Sequence, residues 1–180
     1  MEKVEVVEVK RAFVLANAGN ELFNENEDPK TLSQRFRELK VIHDNYSEEK
    51  LNEEIKDKVR LRRYDEMGWH KGYVPLINMG PWPKMGGLPI DFTTGNIVDT
   101  ANMFISHSGT LEETLSLKKI KKVTSIRENS KLIRVNFPLI LVPGGEVREN
   151  EYNVWARENE EPLCDIFKYG LDDGNHRALA

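Results

Sequence analysis

The sequence predicts an α+β fold, a small mixed sheet with flanking helices. Three observations carry this. Apolar residues recur at helical spacing across residues 28–63, β-branched and aliphatic residues crowd residues 4–16 and 131–142, and a short apolar segment near 166–171 runs through glycine into helix-favouring residues. At 180 residues the chain is long enough to bury a core without staples. It divides into an N-terminal extension, 1–109, holding a helical hairpin and a Pro/Gly-rich loop, and a sheet-bearing core, 110–180.

Residues 4–16 mix alternation with a β-branched bias, which predicts a strand, or two joined by a bend, ended by Gly19-Asn20. Lys10-Arg11 before a short apolar run has a faint look of a secretory leader. Glu2, Glu5 and Glu8 spoil the basic region such a leader needs, so a strand is expected instead.

Asp28-Pro29 is a helix start, because aspartate caps free amides and proline fits the first helical position. Leu32, Phe36 and Leu39 follow at helical spacing. Ser47 caps a second helix with apolar Leu51, Ile55 and Val59, acidic Glu48 and Glu49 at its start, and Arg60, Arg62 and Arg63 at its end. That charge order complements the helix dipole. His43, near the end of the first helix, is expected to do the same.

Residues 68–95 gather glycines and prolines with Trp69, Tyr73 and Trp82, and predict a long loop whose aromatics pack it down. Thr110-Leu-Glu-Glu113 has capping-box form. Leu115, Leu117, Ile120 and Val123 continue that helix or turn into a strand. Lys131–Val142 reads as a strand that Pro138 places at an edge or a bulge, and Glu151–Arg157 as another.

Composition excludes several classes. Apolar residues are 39%, charged residues 31%, and mean hydropathy is -0.57, which describes a charged globular chain with no membrane partner. A net charge of -4 disfavours a broad duplex-DNA surface, although Lys118, Lys119, Lys121 and Lys122 form a local basic run that leaves nucleic acid open as a partner. The single cysteine, Cys164, can form neither an intramolecular disulfide nor a cysteine zinc site, which points to a reducing, cytoplasmic setting. His70, His107 and His176 with Asp172 or Asp173 match no short metal motif. Met85-Gly86-Gly87 and Pro143-Gly144-Gly145 read as turns and match no Walker pattern.

The chemistry concentrates in Asp173-Gly174-Asn175-His176-Arg177. A strand, a glycine turn and a helix start leave backbone amides pointing outward, which favours an anion. Gly174 permits a tight turn and close approach of a ligand. Arg177 has the fork geometry for phosphate oxygens, and His176 can donate a proton or bind a metal. Asp173 can orient His176 or hold a metal ion such as Mg²⁺. The bland alternative is a surface turn, since Gly and Asn are ordinary turn residues.

This run, with Ala178-Leu179-Ala180 after it, resembles the ParB/sulfiredoxin superfamily, whose members often carry Asp-Gly-X-His-Arg before small and apolar residues. Leu115–Val123 is similar to the family's early strand, and Pro138–Val142 to the strand before the motif strand, so the resemblance spans roughly residues 110–180. It implies a ParB/sulfiredoxin-like core binding nucleotide phosphates through Gly174, Asn175, His176 and Arg177, with ATP, ADP or CTP and Mg²⁺ as cofactors. Another phosphorylated small molecule is the alternative ligand. Phosphoryl transfer or phosphodiester hydrolysis is the implied chemistry, with His176 catalytic and Glu128 in the place of the base that the family's kinase branch uses. Asn175 stands where sulfiredoxins place their reactive cysteine, which argues against sulfiredoxin chemistry. Family members continue with a full helix past this motif, so the resemblance implies either that the chain is a truncated fragment or that something else supplies the missing cover. Whether the chain is an enzyme stays open. The rivals are a non-catalytic interaction domain and a DNA-binding protein of a viral or mobile element.

Overall fold

In the computed structural model, residues 1–20, 22, 29–85, 88–107, 117–129, 137–143 and 152–180 are described. They mix helices and small sheets, the α+β class expected, and none of their helices is long and apolar enough to cross a membrane. The chain forms two compact units. The first comprises Met1–Tyr73 with Lys131–Pro138, and the second Val74–Ser130 with Leu139–Ala180. The division thus falls at Tyr73/Val74, whereas the sequence reading places its boundary at 109/110.

The first unit opens with strand β1 (Glu2–Val4) and helix α1 (Val6–Asn20). The strand expected over 4–16 is corrected here: beyond Val4 the segment is helical. Val9, Phe13 and Ala16 recur at helical spacing and are buried together with Val14 and Leu15. Packing of that face overrides the weak helix preference of the valines.

Helix α2 (Pro29–Asp44) begins at the proline as expected and buries Leu32 and Phe36. His43 lies in its last turn, buried, with Nδ1 2.7 Å from the Leu39 carbonyl. The single helix expected after Ser47 is two helices, α3 (Glu48–Glu54) and α4 (Lys58–Glu66). Ser47 does cap α3, accepting from the Lys50 amide. The break comes from Asp57, whose carboxylate accepts from the amides of Val59 and Arg60 at 3.0 and 3.1 Å and restarts the helix. Leu51 and Ile55 are fully buried, but the restart turns Val59 outward and brings Tyr64 into the core. Helices α2, α3 and α4 all pack on α1, so this unit is organised around α1 rather than around a two-helix hairpin.

Strand β2 (Trp69–Lys71) closes the unit by pairing antiparallel with β1, Val4 opposite Trp69. Trp69 packs edge-on against Tyr64, with ring centroids 5.3 Å apart, and donates its indole N–H to the Tyr64 carbonyl at 2.9 Å. Inside the unit Lys10 is almost fully buried, its Nζ 2.9 Å from Glu48 and 2.6 Å from Asp65.

The second unit holds strand β3 (Met79–Gly80), helix α5 (Ile97–Ser106), helix α6 (Leu117–Glu128), strand β4 (Ile140–Pro143), helix α7 (Val154–Glu158), strand β5 (Tyr169–Asp173) and helix α8 (Asn175–Leu179). The sheet order is β3-β5-β4, with β3 parallel and β4 antiparallel to β5. The segment at 74–95 is not a plain loop: besides β3 it carries 3₁₀ turns at Leu76–Asn78 and Ile90–Phe92. Asn96 and Asp99 form a reciprocal capping box that starts α5. Met79, Ile97 and Leu171 form one core cluster, and Met85, Leu88 and Val123 another.

Two strand expectations need correction, and a third is met in part. Of the early strand expected over Leu115–Val123, residues 117–123 are helical instead, part of Leu117–Glu128 with Val123 and Ile126 buried three residues apart on one face, and 115–116 lie outside the described residues. Of the strand expected over Glu151–Arg157, the described residues 152–157 are not a strand either, since Val154–Glu158 is helical. Val154 and Trp155 are exposed while Ala156 is fully buried. The buried Asn153 side chain pairs with both backbone groups of Cys164, at 2.8 and 2.9 Å, and anchors the start of this helix. The strand expected over Lys131–Val142 is β4 alone among the described residues, since 131–136 lie outside them. β4 is an edge strand with a register irregularity at Ile140/Leu141, so both signals read from Pro138 are met next door. The capping box at Thr110–Glu113 also lies outside the described residues, as do Gly86, Gly87, Gly144 and Gly145.

Candidate functional site

The motif stands as strand, turn and helix. Gly170, Leu171 and Asp172 of β5 are buried, and β5 is the central strand of its sheet. Gly174 then takes a left-handed backbone, φ 99°, and α8 begins at Asn175. A side chain at Gly174 is doubly disfavoured. The backbone is one that L-residues rarely adopt, and a Cβ there would lie 2.5 Å from Leu139 Cδ2 and 3.0 Å from an Arg177 terminal nitrogen. The glycine is therefore required by the turn itself.

The side chains around it are engaged with one another. Arg177 donates to Asp173 Oδ2 at 2.6 Å, and the pair is largely withdrawn from water, the two side chains being 5% and 15% exposed. Asp173 thus faces Arg177, where the sequence reading had it orient His176 or bind metal. Asn175 Oδ1 accepts from the backbone amide of Trp82 at 2.7 Å, fastening the segment after β3 to the turn after β5. His176 is half-buried in the first turn of α8. Helix α8 packs on α5 and α6. Glu128, exposed, is the last residue of α6 and so ends a helix rather than following a first strand. The structure therefore brings Asp173, Gly174, Asn175, His176 and Arg177 into one turn, with Glu128 at the end of a neighbouring helix.

Sequence reasoning missed the tie between Asn175 and Trp82. Only the polarity of Asn175 hinted at it, since the two residues are far apart in the chain. The other histidines are elsewhere. His70 is exposed on β2, and His107 ends α5 with Nδ1 3.0 Å from the Met103 carbonyl. Among the described residues no group of three or more His, Cys, Asp or Glu side chains is placed to hold a metal ion. The four lysines of the basic run fall on α6. A shallow concavity in the first unit, lined by Lys30, Ser33, Gln34, Arg37 and Glu38, offers less chemistry. Two of its polar side chains are engaged within α2, Gln34 donating to Glu38 at 3.1 Å and Arg37 to the Ser33 carbonyl at 3.2 Å. No family model, curated protein or solved structure matches the chain.

Proposed function

We propose that the turn from Asp173 to Arg177 binds the phosphates of a nucleotide or another phosphorylated molecule, as the core of a ParB/sulfiredoxin-like domain. One observation carries the reading: a buried central strand passes through a left-handed glycine directly into the helix that bears His176 and Arg177. The first amides of a helix lack helical partners, which favours an anion, and a guanidinium is a forked donor matched to phosphate oxygens. In this reading Asp173 orients Arg177 along the turn, and a phosphate shares or replaces that carboxylate. Mg²⁺ binding at Asp173 requires the pair to open. Should the site be catalytic, His176 and Arg177 stabilise charge on the phosphoryl group and Glu128 acts as base in phosphoryl transfer or phosphodiester hydrolysis.

Isothermal titration with ADP, ATP and CTP in the presence of Mg²⁺ tests this. Saturable binding of at least one is expected, weakened roughly tenfold or more in Arg177→Lys, which keeps the charge and loses the fork. No binding to any of the three sinks the reading. A second reading has its own observation. The closed Asp173–Arg177 pair is also what a purely structural turn needs, as in a non-catalytic interaction domain. There Arg177→Lys changes stability while the wild-type protein ignores nucleotides.

A further inference from the structure

In the second unit, residues 152–166 double back on themselves and are braced at several points. Asn153 pairs with both backbone groups of Cys164, the Tyr152 hydroxyl donates to the Pro162 carbonyl at 3.1 Å, and the Glu161 amide donates to the Ala156 carbonyl at 3.0 Å. Lys84 adds a tie from outside the segment, its Nζ 3.6 Å from Glu161 and 5.2 Å from the centre of the Trp155 ring. Among the described residues, the non-glycine residues with a left-handed backbone are Lys84 and Glu160, φ 55° and 56°, and both belong to this region. A backbone of that kind persists where its surroundings over-determine it. Yet the surface held in this way leaves large apolar side chains in water. Val154 is 44% exposed, Trp155 43%, Leu163 49% and Ile166 55%. The Asn153–Cys164 bonds bring the two arms of the segment together, so the four belong to one stretch of surface. A pre-braced tryptophan suits an interface anchor, because little freedom is lost when a partner covers it.

Charge selects what covers this surface. Between residues 154 and 166 stand Glu158, Glu160, Glu161 and Asp165 with a single basic residue, Arg157. Glu158, Glu160 and Asp165 are exposed, and Lys84 balances Glu161 alone. Such a rim repels an anionic membrane and a nucleic-acid backbone. A second copy docking through the same patch across a two-fold axis sets the carboxylates against themselves. What fits is opposite in charge. The Lys84 ammonium, near both the Trp155 ring and the Glu161 carboxylate, shows how a cation is received here. We infer that Val154, Trp155, Leu163 and Ile166, with their acidic rim, form a docking surface for a basic amphipathic segment of a partner protein, whether or not the Asp173–Arg177 turn binds phosphate. The partner's aliphatic side chains cover the apolar residues, and its lysines or arginines meet Glu158, Glu160 and Asp165.

The test titrates the full chain into two labelled synthetic amphipathic helices, one of leucine and lysine and the other with every lysine replaced by glutamate, and follows fluorescence anisotropy. Wild type should bind the Leu/Lys helix saturably and ignore the Leu/Glu helix. Trp155→Ala should weaken binding roughly tenfold or more. Glu158→Lys with Glu160→Lys should weaken it at least as much while thermal melting stays unchanged, since both side chains are exposed. Should Trp155→Ala melt early, the charge-reversed variant decides alone. No binding of the Leu/Lys helix overturns the docking surface. So does equal binding of both helices, or an affinity that the charge reversal leaves intact. Sedimentation, and flotation with phosphatidylserine vesicles, address the other occupants. A wild-type dimer that Trp155→Ala dissociates, or vesicle binding that it abolishes, gives the surface to a second copy or to a membrane and overturns the inference as well.

Discussion

Lys10 in the first unit and Arg177 in the second are both cations held away from water, and they are held in opposite ways. The Lys10 side chain is 1% exposed, while its partners Glu48 and Asp65, on two other helices, remain 50% and 47% exposed. Arg177 is gripped by a carboxylate four residues away that is itself largely covered. The first arrangement ties α1 to α3 and α4. The second braces a single turn. A long-range tie holds separate helices together, whereas a local brace fixes the shape of one turn.

The largest effect should come from stranding Lys10. Glu48→Gln with Asp65→Asn leaves its charge buried without an anion, and should lower stability by about 3–5 kcal/mol in urea denaturation. If the pair behaves like an ordinary surface ion pair, the loss will stay under about 1 kcal/mol. Burial pushes the Lys10 pKa down, but hydrogen bonds and charge from Asp65 and Glu48 outweigh it, so the net shift is upward from 10.5. A raised lysine pKa contributes stability that is complete below its unfolded value and is lost as pH rises through the folded one. Wild type should therefore weaken above about pH 10.5 by a component that Lys10→Met lacks.

Gly174→Ala comes next. It combines a left-handed backbone with a collision at Leu139, and should cost about 2–4 kcal/mol. Hydrogen exchange should show the loosening in β5 and α8. Unchanged protection there would mean that the turn is not braced as described. The smallest effect is at the helix restart. Asp57→Ala should cost about 1 kcal/mol, seen as faster exchange at the start of α4. Hydrogen bonding from the Arg60 amide leads a net lowering of the Asp57 pKa, outweighing burial. Its stabilisation is present above the unfolded pKa near 3.8 and fades as pH falls through the folded value, a component that Asp57→Ala should lack.

Local signals were legible where one residue decides the outcome. Pro29 starts a helix, Ser47 caps one, and Gly174 turns a strand into one, all visible in a few adjacent letters. The α1 segment misled because valines carry a strand preference while the burial of Val9, Phe13 and Ala16 is decided by distant helices. Lys10 in particular reads as a solvent-facing lysine until Glu48 and Asp65 are brought to it. Asn96-Ile-Val-Asp99 was legible as a capping box in principle, with Asp in the place usually taken by Glu or Gln. At the site, the chain showed the motif and hid its wiring. The Asp173–Arg177 pair is at ordinary helical spacing, but the Trp82–Asn175 bond depends on a parallel strand pairing that no local pattern encodes.

That parallel pairing also bears on how the protein is made. Both ladders of the second unit's sheet run through β5, with Met79 opposite Tyr169 and Leu141 opposite Leu171. A ribosome releases β3 and β4 before β5, so the sheet cannot close until β5 has emerged. Contacts so distant in sequence form slowly, and edges waiting for a partner are where chains aggregate. The second unit should thus gain its sheet in one concerted step that waits on β5, and its folding should respond more than that of the first to chaperones and to temperature.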